Sequence, residues 1–333
     1  MKRRQLLSNG WGLGLGLLAA DTMAAPASPA AGALQWQSTT FTGMGTTLSI
    51  TAAHADKQRT VSALEQAREL VAQLEMQMSV FNPNSALSRL NAHGVLKQPP
   101  PDLLRLLRIA KDFAARSHGA FDPTVQPLWT LFSSRQAAGR LPLAGEVAQA
   151  RRLVDWRKLR IETDRIALAQ HGMGVTLNGI AQGFASDQVR ALLKSHGIEH
   201  ALINTGEWSA LGQSSQHQDW LLGVADPHQT NALLGRLRLR GGGSLATSAD
   251  DQTFFSPDHL HHHIFDPHTG YSPRDISSVT VLAKHCTQAD ALTKVLFVAG
   301  YERALALAQQ WQVTALVVHK SGQWQMSPQL HWV

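Results

Sequence analysis

Apolar positions along the chain repeat at two periods, and the switching between them predicts the elements. Between Thr60 and Phe81 the residues Leu64, Ala67, Leu70, Val71 and Leu74 share one helical face. Between Trp36 and Ala53, β-branched residues alternate with apolar ones around Gly43–Gly45, which reads as two strands and a turn. Asn82–Asn91 reads as a turn and a short helix capped by Ser85, and three prolines at 99–101 open a further helix that Gly119 ends. Helices are also predicted over 145–153, from Ile180 to Gly197, over 286–300 and over 301–311. Short strands are predicted around Thr163–Arg165, over 200–212 into a glycine turn, and within 219–227, 235–249 and 277–284, with a closing hairpin over 313–327. Strands and helices mix without strict βαβ alternation, so the expected class is α+β, one domain over residues 36–333.

Composition narrows the class of protein. Of 333 residues, 44% are apolar and 16% charged, a globular balance able to bury a sizeable core. Residues 1–24 stand outside the fold. Lys2, Arg3 and Arg4 precede a short apolar run, Trp11–Ala20, and then small residues, which is the layout of a secretory signal peptide. Arg3-Arg4 followed by Gln5-Leu6-Leu7 resembles a twin-arginine export signal. Removing Lys2, Arg3, Arg4 and Asp21 takes the formal charge from +6 to +4. No dense basic stripe is left, so nucleic acid is not an expected partner. Cys286 is the only cysteine, so there is neither an intramolecular disulfide nor an N-terminal lipid-anchor cysteine. The expectation is an exported, soluble, periplasmic protein without stable membrane insertion.

The chemistry-bearing stretches are ambiguous one by one. His261, His262 and His263 are consecutive, and neighbouring residues of extended chain face opposite ways, so the three cannot share a metal ion. His259, His261 and His262 read as a solvated or partly satisfied histidine loop. His263 differs, because it leads into a turn set by Asp266, Pro267 and Gly270. Val175–Val189 reads as strand, tight turn and helix, where Gly179 and Gly183 would let backbone approach a phosphate; a purely structural turn explains it equally well. Asp290 and Thr293 lie on one helix, an oxygen pair suited to a hard cation or, more plainly, a cap.

Their order is more specific than any one of them. MGTTLSI (44–50), SVFNPNSALSRLN (79–91), GAFDPTVQPL (119–128), TLNGIAQGFASD (176–187), INTGEWSALG (203–212), LATSADD (245–251), HHIFDPHTG (262–270) and ADALTKVLFVAG (289–300) together resemble the ApbE family of FAD:protein FMN transferases. The resemblance implies an ApbE-like α+β fold and FAD as substrate with Mg²⁺. It implies attachment of FMN by a phosphoester to a Ser or Thr of an exported or membrane redox protein, such as an electron-transport subunit, with AMP released. Carried over by position, it makes Met44, Phe81, Ala120, Phe121, Asp122, Thr176, Gln182 and Ile264 flavin-nucleotide contacts, His263 the general base, and Gly179, Asp290 and Thr293 the metal site. The chain departs from the family pattern at several points. Phe81 stands where tyrosine is common, and Thr176, Asn178 and Gln182 stand where Asp, Gly and Lys are common. Glu207 replaces an Asp, and Ala249 a Gly. The sharpest departure is Lys294, in place of a metal-ligating threonine. A protonated lysine offers no lone pair. Either Asp290 and Thr293 hold Mg²⁺ with additional waters, or Lys294 replaces part of the metal's charge or abolishes transfer. A periplasmic FAD carrier without transferase activity and an FAD pyrophosphatase are the alternatives.

Overall fold

The alternating stretch near the start folds as the expected hairpin, β1 (Gln35–Gly43) and β2 (Thr46–His54), which turns at Met44 and Gly45 with φ of 49° and 81°. The computed structural model describes residues 33–333, so the export signal read at residues 1–24 lies outside the described residues. Helix α1 (Lys57–Met78) starts at Asp56, whose carboxylate accepts the N–H groups of Gln58 and Arg59. Helix α2 (Ala86–His93) is capped by Ser85 as its sequence suggested. Then come β3 (Val95–Lys97), α3 (Pro101–Arg116), α4 (Gln126–Ala137), α5 (Ala144–Arg151), β4 (Leu159–Ile161) and β5 (Arg165–Leu168). The second half runs α6 (Ala181–Ser195), β6 (His200–Asn204), β7 (Trp208–Leu211), β8 (Trp220–Ala225), β9 (Leu233–Leu239), β10 (Gly243–Ala249), β11 (Ile276–Ala283), α7 (Cys286–Ala299), α8 (Tyr301–Gln310), β12 (Thr314–His319) and β13 (Trp324–Met326).

Eight strands make one antiparallel sheet in the order β1-β2-β6-β7-β10-β11-β12-β13. Its residues alternate between two cores, as the pleat requires. Ala246, Val279, Val281, Ala315 and Val317 pack with α3, α6, α7 and α8 in the largest core, while Leu48, Ile50 and Ile203 pack with α1 and α6. On the opposite face Ala210, Leu245 and Leu316 are covered by Leu222, Val224, Leu237 and Leu239 of the β8–β9 hairpin. Covered on both faces, β11 is buried from Ile276 to Val281. A satellite core joins Leu128 and Phe132 of α4, Val147 of α5, Phe255 and Phe265. The architecture is α+β, as expected.

Three strand readings are refined. Residues 200–212 form two strands, because Gly206, at φ 99°, reverses the chain between β6 and β7. Residues 235–249 are likewise split, into β9 and β10, which belong to different sheets. The three-residue β3, paired with β5, was too short to show a period.

Candidate functional site at the α6–α7 crossing

The site is built where α6 and α7 cap one another. Helix α6 has no side-chain cap of its own, and its first-turn Gly183 N–H donates to Asp290 Oδ2 at 3.0 Å. In return Asp187 of α6 accepts the N–H groups of Cys286 and Thr287, each at 2.9 Å, and the Thr287 hydroxyl at 2.6 Å. The exchange needs the helices to touch. A Cβ on residue 183 would lie 2.4 Å from the Cys286 carbonyl oxygen, so only glycine fits. Asp187 was not singled out from sequence. Its signal was a helical Asp one turn after the glycine, which looks like any surface residue until α7 is placed.

Lys294 fills the space this creates. Its Nζ lies 2.5 Å from Asp290 Oδ1 and also donates to the Asp290 carbonyl at 3.2 Å. Its stem crosses Gly179, where an added Cβ would meet Lys294 Cε at 3.1 Å and the Phe121 ring at 3.5 Å. Thr293, fully buried, donates to the Asp290 carbonyl at 2.7 Å and lies 2.7 Å from the Ser248 hydroxyl. Glu207, also buried, accepts the Thr247 N–H at 3.0 Å. Burial, and then the nearby Asp290, push its pKa well above the usual carboxylate range, against the pull of Lys294. Gln182 lies against Gly206, and its amide approaches the Met44 carbonyl at 3.4 Å. The β1–β2 turn, the start of α6 and the β6–β7 turn therefore meet.

The remaining expected contacts divide. Thr176 donates its N–H to the Pro123 carbonyl at 2.8 Å, which joins the stretch before α6, irregular and not the strand its sequence suggested, to the loop holding half-buried Ala120 and buried Phe121 and Asp122. Asp122 spends both oxygens within that loop: Oδ1 on the Thr124 N–H and hydroxyl (2.8 and 2.6 Å), Oδ2 on the Trp156 N–H (3.1 Å). It clamps the loop and presents no free carboxylate. Phe81 lies at the surface. It is 57% exposed, with its ring edge-on to Trp129 at 5.8 Å.

The consecutive histidines point different ways, as extended backbone dictates. His262 is fully buried against Phe297, its Nε2 3.1 Å from the Pro273 carbonyl; burial, then the adjacent His263, lower its pKa to about 3. It belongs to the core and not to a solvated loop. His263 sits half-buried with Nδ1 3.1 Å from the Thr253 carbonyl. That oxygen can only accept, so Nδ1 carries the proton and Nε2 keeps its lone pair. Burial lowers the His263 pKa to about 4, assisted by the Lys294 charge and opposed by the Thr253 bond. Ile264 turns inward to the largest core. Sequence reading also missed Lys320, which pairs with the Asp250 carboxylate and donates to the His259 carbonyl at 2.8 Å. No local pattern connects positions seventy residues apart.

Gly179, Asp290 and Thr293 are thus brought together, but not as open metal donors. Mg²⁺ takes near-octahedral oxygen ligands. Here one Asp290 oxygen is held by an ammonium and the other by a backbone N–H, and the Thr293 hydroxyl is already bonded inside the core. Among the described residues no three His, Cys, Asp or Glu side chains are grouped to hold a metal ion. As arranged, the residues do not fit the ion that the family resemblance implies.

The topology and this constellation define a known class. The ApbE family profile matches residues 44–317, and the chain belongs to the ApbE family. A Treponema pallidum protein named FAD:protein FMN transferase is 34% identical over 276 residues, 75% of each chain. A Vibrio cholerae protein of the same name is 30% identical over 260 residues, 76% of this chain and 78% of that one. The crystal structure of an ApbE protein from Thermotoga maritima superposes with a TM-score of 0.79 at 27% identity, covering 88% of this chain and 97% of the other.

Proposed function

We propose that the protein is an FAD:protein FMN transferase acting on a Ser or Thr hydroxyl of an acceptor protein. Family membership and the naming of its relatives support the reaction type. The observation that carries it to this chain is His263: a neutral imidazole at ordinary pH, its tautomer fixed by Thr253, with Lys294 close enough to depress its pKa. The acceptor hydroxyl gives its proton to His263 Nε2, and its oxygen bonds to the FMN-side phosphorus of FAD. The bond from that phosphorus to the bridging oxygen breaks, AMP leaves with the bridging oxygen and its electron pair, and the proton passes to solvent. The rate gain comes from positioning and charge neutralisation around the pyrophosphate. The Lys294 ammonium is the group suited to that charge, since the first-turn N–H groups of Ala181 and Gly183 are already given to the Leu177 carbonyl and to Asp290.

Met44 and Gln182, at the meeting of the two turns and α6, line the nucleotide, and Phe121 borders Gly179 on the same side. Phe81, exposed at the rim beside Trp129, offers an aromatic face to the flavin end. The acceptor class, an exported or membrane electron-transport subunit, rests on the family resemblance, and the periplasm as working compartment rests on the leader sequence. Among the described residues no helix is long and apolar enough to cross a membrane.

The test is flavin attachment to an acceptor domain, followed by in-gel fluorescence, with His263→Ala beside the wild type. Loss of transfer with FAD binding retained is expected. Undiminished transfer by the variant removes His263 as the base.

A further inference from the structure

We infer that the Lys294 ammonium supplies, in this chain, the positive charge a divalent ion would bring to Asp290, so that the pyrophosphate of FAD is held without a metal ion at this position. The inference rests on FAD being the substrate. Three observations carry it.

The first is occupancy. Asp290 Oδ1 is committed to Lys294 at 2.5 Å, Asp290 Oδ2 caps α6 through Gly183, and Thr293 is closed off by Ser248 and the Asp290 carbonyl. A metal here would have to displace an ion pair whose carboxylate is almost fully buried, leaving the ammonium without its counter-charge. The second is fit. Gly179 is the floor under the lysine stem, and a Cβ there would crowd Cε at 3.1 Å. The turn between Thr176 and α6 is shaped around a lysine. The third is direction. An ammonium has three N–H donors, and among the described residues Lys294 uses them on two acceptors, both belonging to Asp290. The side chain keeps 18% of its surface exposed, so one donor is free for a phosphate oxygen near the start of α6, where the helix dipole favours the same charge. Lysine binds phosphate as a point charge and needs no particular geometry from it.

The experiment compares the full chain with Lys294→Thr and Lys294→Met, each stripped with EDTA. Mn²⁺ binding is read by EPR, FAD binding by quenching of flavin fluorescence, and transfer in a single turnover. The wild type should leave Mn²⁺ free in solution, and should bind FAD and transfer FMN with constants that change less than about 3-fold between EDTA and excess Mg²⁺. Lys294→Thr frees the Asp290 carboxylate and adds a hydroxyl oxygen, so it should bind Mn²⁺ and require a divalent ion for FAD. Lys294→Met gains no oxygen and should lose FAD affinity by roughly 10-fold or more, with or without metal, the loss of one charge-assisted bond. Mn²⁺ bound by the wild type, or FAD binding abolished by EDTA, overturns the inference. The Mn²⁺ measurement on the wild type needs no variant to fold and no FMN to be transferred. It therefore fails or succeeds separately from the transferase reading.

Discussion

His262 and His263 are neighbours in the chain and opposites in role. One turns into the core and bonds the Pro273 carbonyl, while the other feels the Lys294 charge and, among the described residues, has no partner at Nε2. Both have pKa values lowered from 6.5, to about 3 and about 4, so between those values and 6.5 the unfolded chain binds more protons than the folded one. Their contribution to stability is therefore complete above about pH 6.5 and is lost as pH falls through that window. Asp122 and Asp251, raised chiefly by burial, act in the opposite sense. The histidine effect is thus best read as a difference. The urea midpoint of His262→Gln should fall less steeply than that of the wild type between about pH 6.5 and 4. In the general-base role proposed for His263 the lowered pKa keeps it in its basic form, so the acid limb of the transfer rate should lie near pH 4 and not near 6.5. His263→Ala should reduce transfer about 100- to 10,000-fold, the usual range for a general base, and abolish that limb. The tripeptide alone excluded a shared metal, because alternation is a property of extended backbone. Which histidine faced the core was set by Phe297 and Pro273, which the local sequence does not reveal.

At the scale of elements, the periodic stretches were legible and the punctuation between them less so. Helices α1, α3, α6, α7 and α8 lie where apolar spacing placed them. The β6–β7 and β9–β10 breaks were hidden inside continuous β-prone runs, since a hairpin changes direction without changing composition. The reciprocal capping of α6 and α7 was not legible at all, because a cap supplied by another helix leaves no local signature. It makes two predictions. Gly183→Ala adds a methyl against the Cys286 carbonyl, and should cost about 1–3 kcal/mol despite alanine's better helix propensity. Asp187→Ala strips the cap of α7 and should cost about 1–2 kcal/mol. Urea unfolding of each variant measures the cost. A neutral Gly183→Ala would mean that the helices do not cross as closely as described.

At the scale of the molecule, the site draws on residues from Met44 to Lys294, gathered from the first hairpin, the start of α6, the β6–β7 turn, β10 and the body of α7. Ordered motifs pointed to the family and to most of these positions. What they did not reveal was the state of Asp290, because whether a lysine one turn away reaches the carboxylate depends on Gly179 leaving it room. A ligand bridging so many elements should stabilise the whole fold. FAD at about 100 times its dissociation constant should add roughly 2.7 kcal/mol to unfolding, read as a raised thermal midpoint, and AMP alone should add less.

The central claim is transfer of FMN from FAD to a protein hydroxyl, and its most direct measurement is stoichiometry. The protein is incubated with FAD and an acceptor domain, and AMP released is counted against FMN covalently bound to a Ser or Thr, with a second incubation lacking the acceptor. Equal amounts of AMP and bound FMN, with little AMP when the acceptor is absent, is the predicted result. AMP released equally without acceptor would make the protein a pyrophosphatase. FAD bound with neither product would make it a carrier, and either result would contradict the account given for His263.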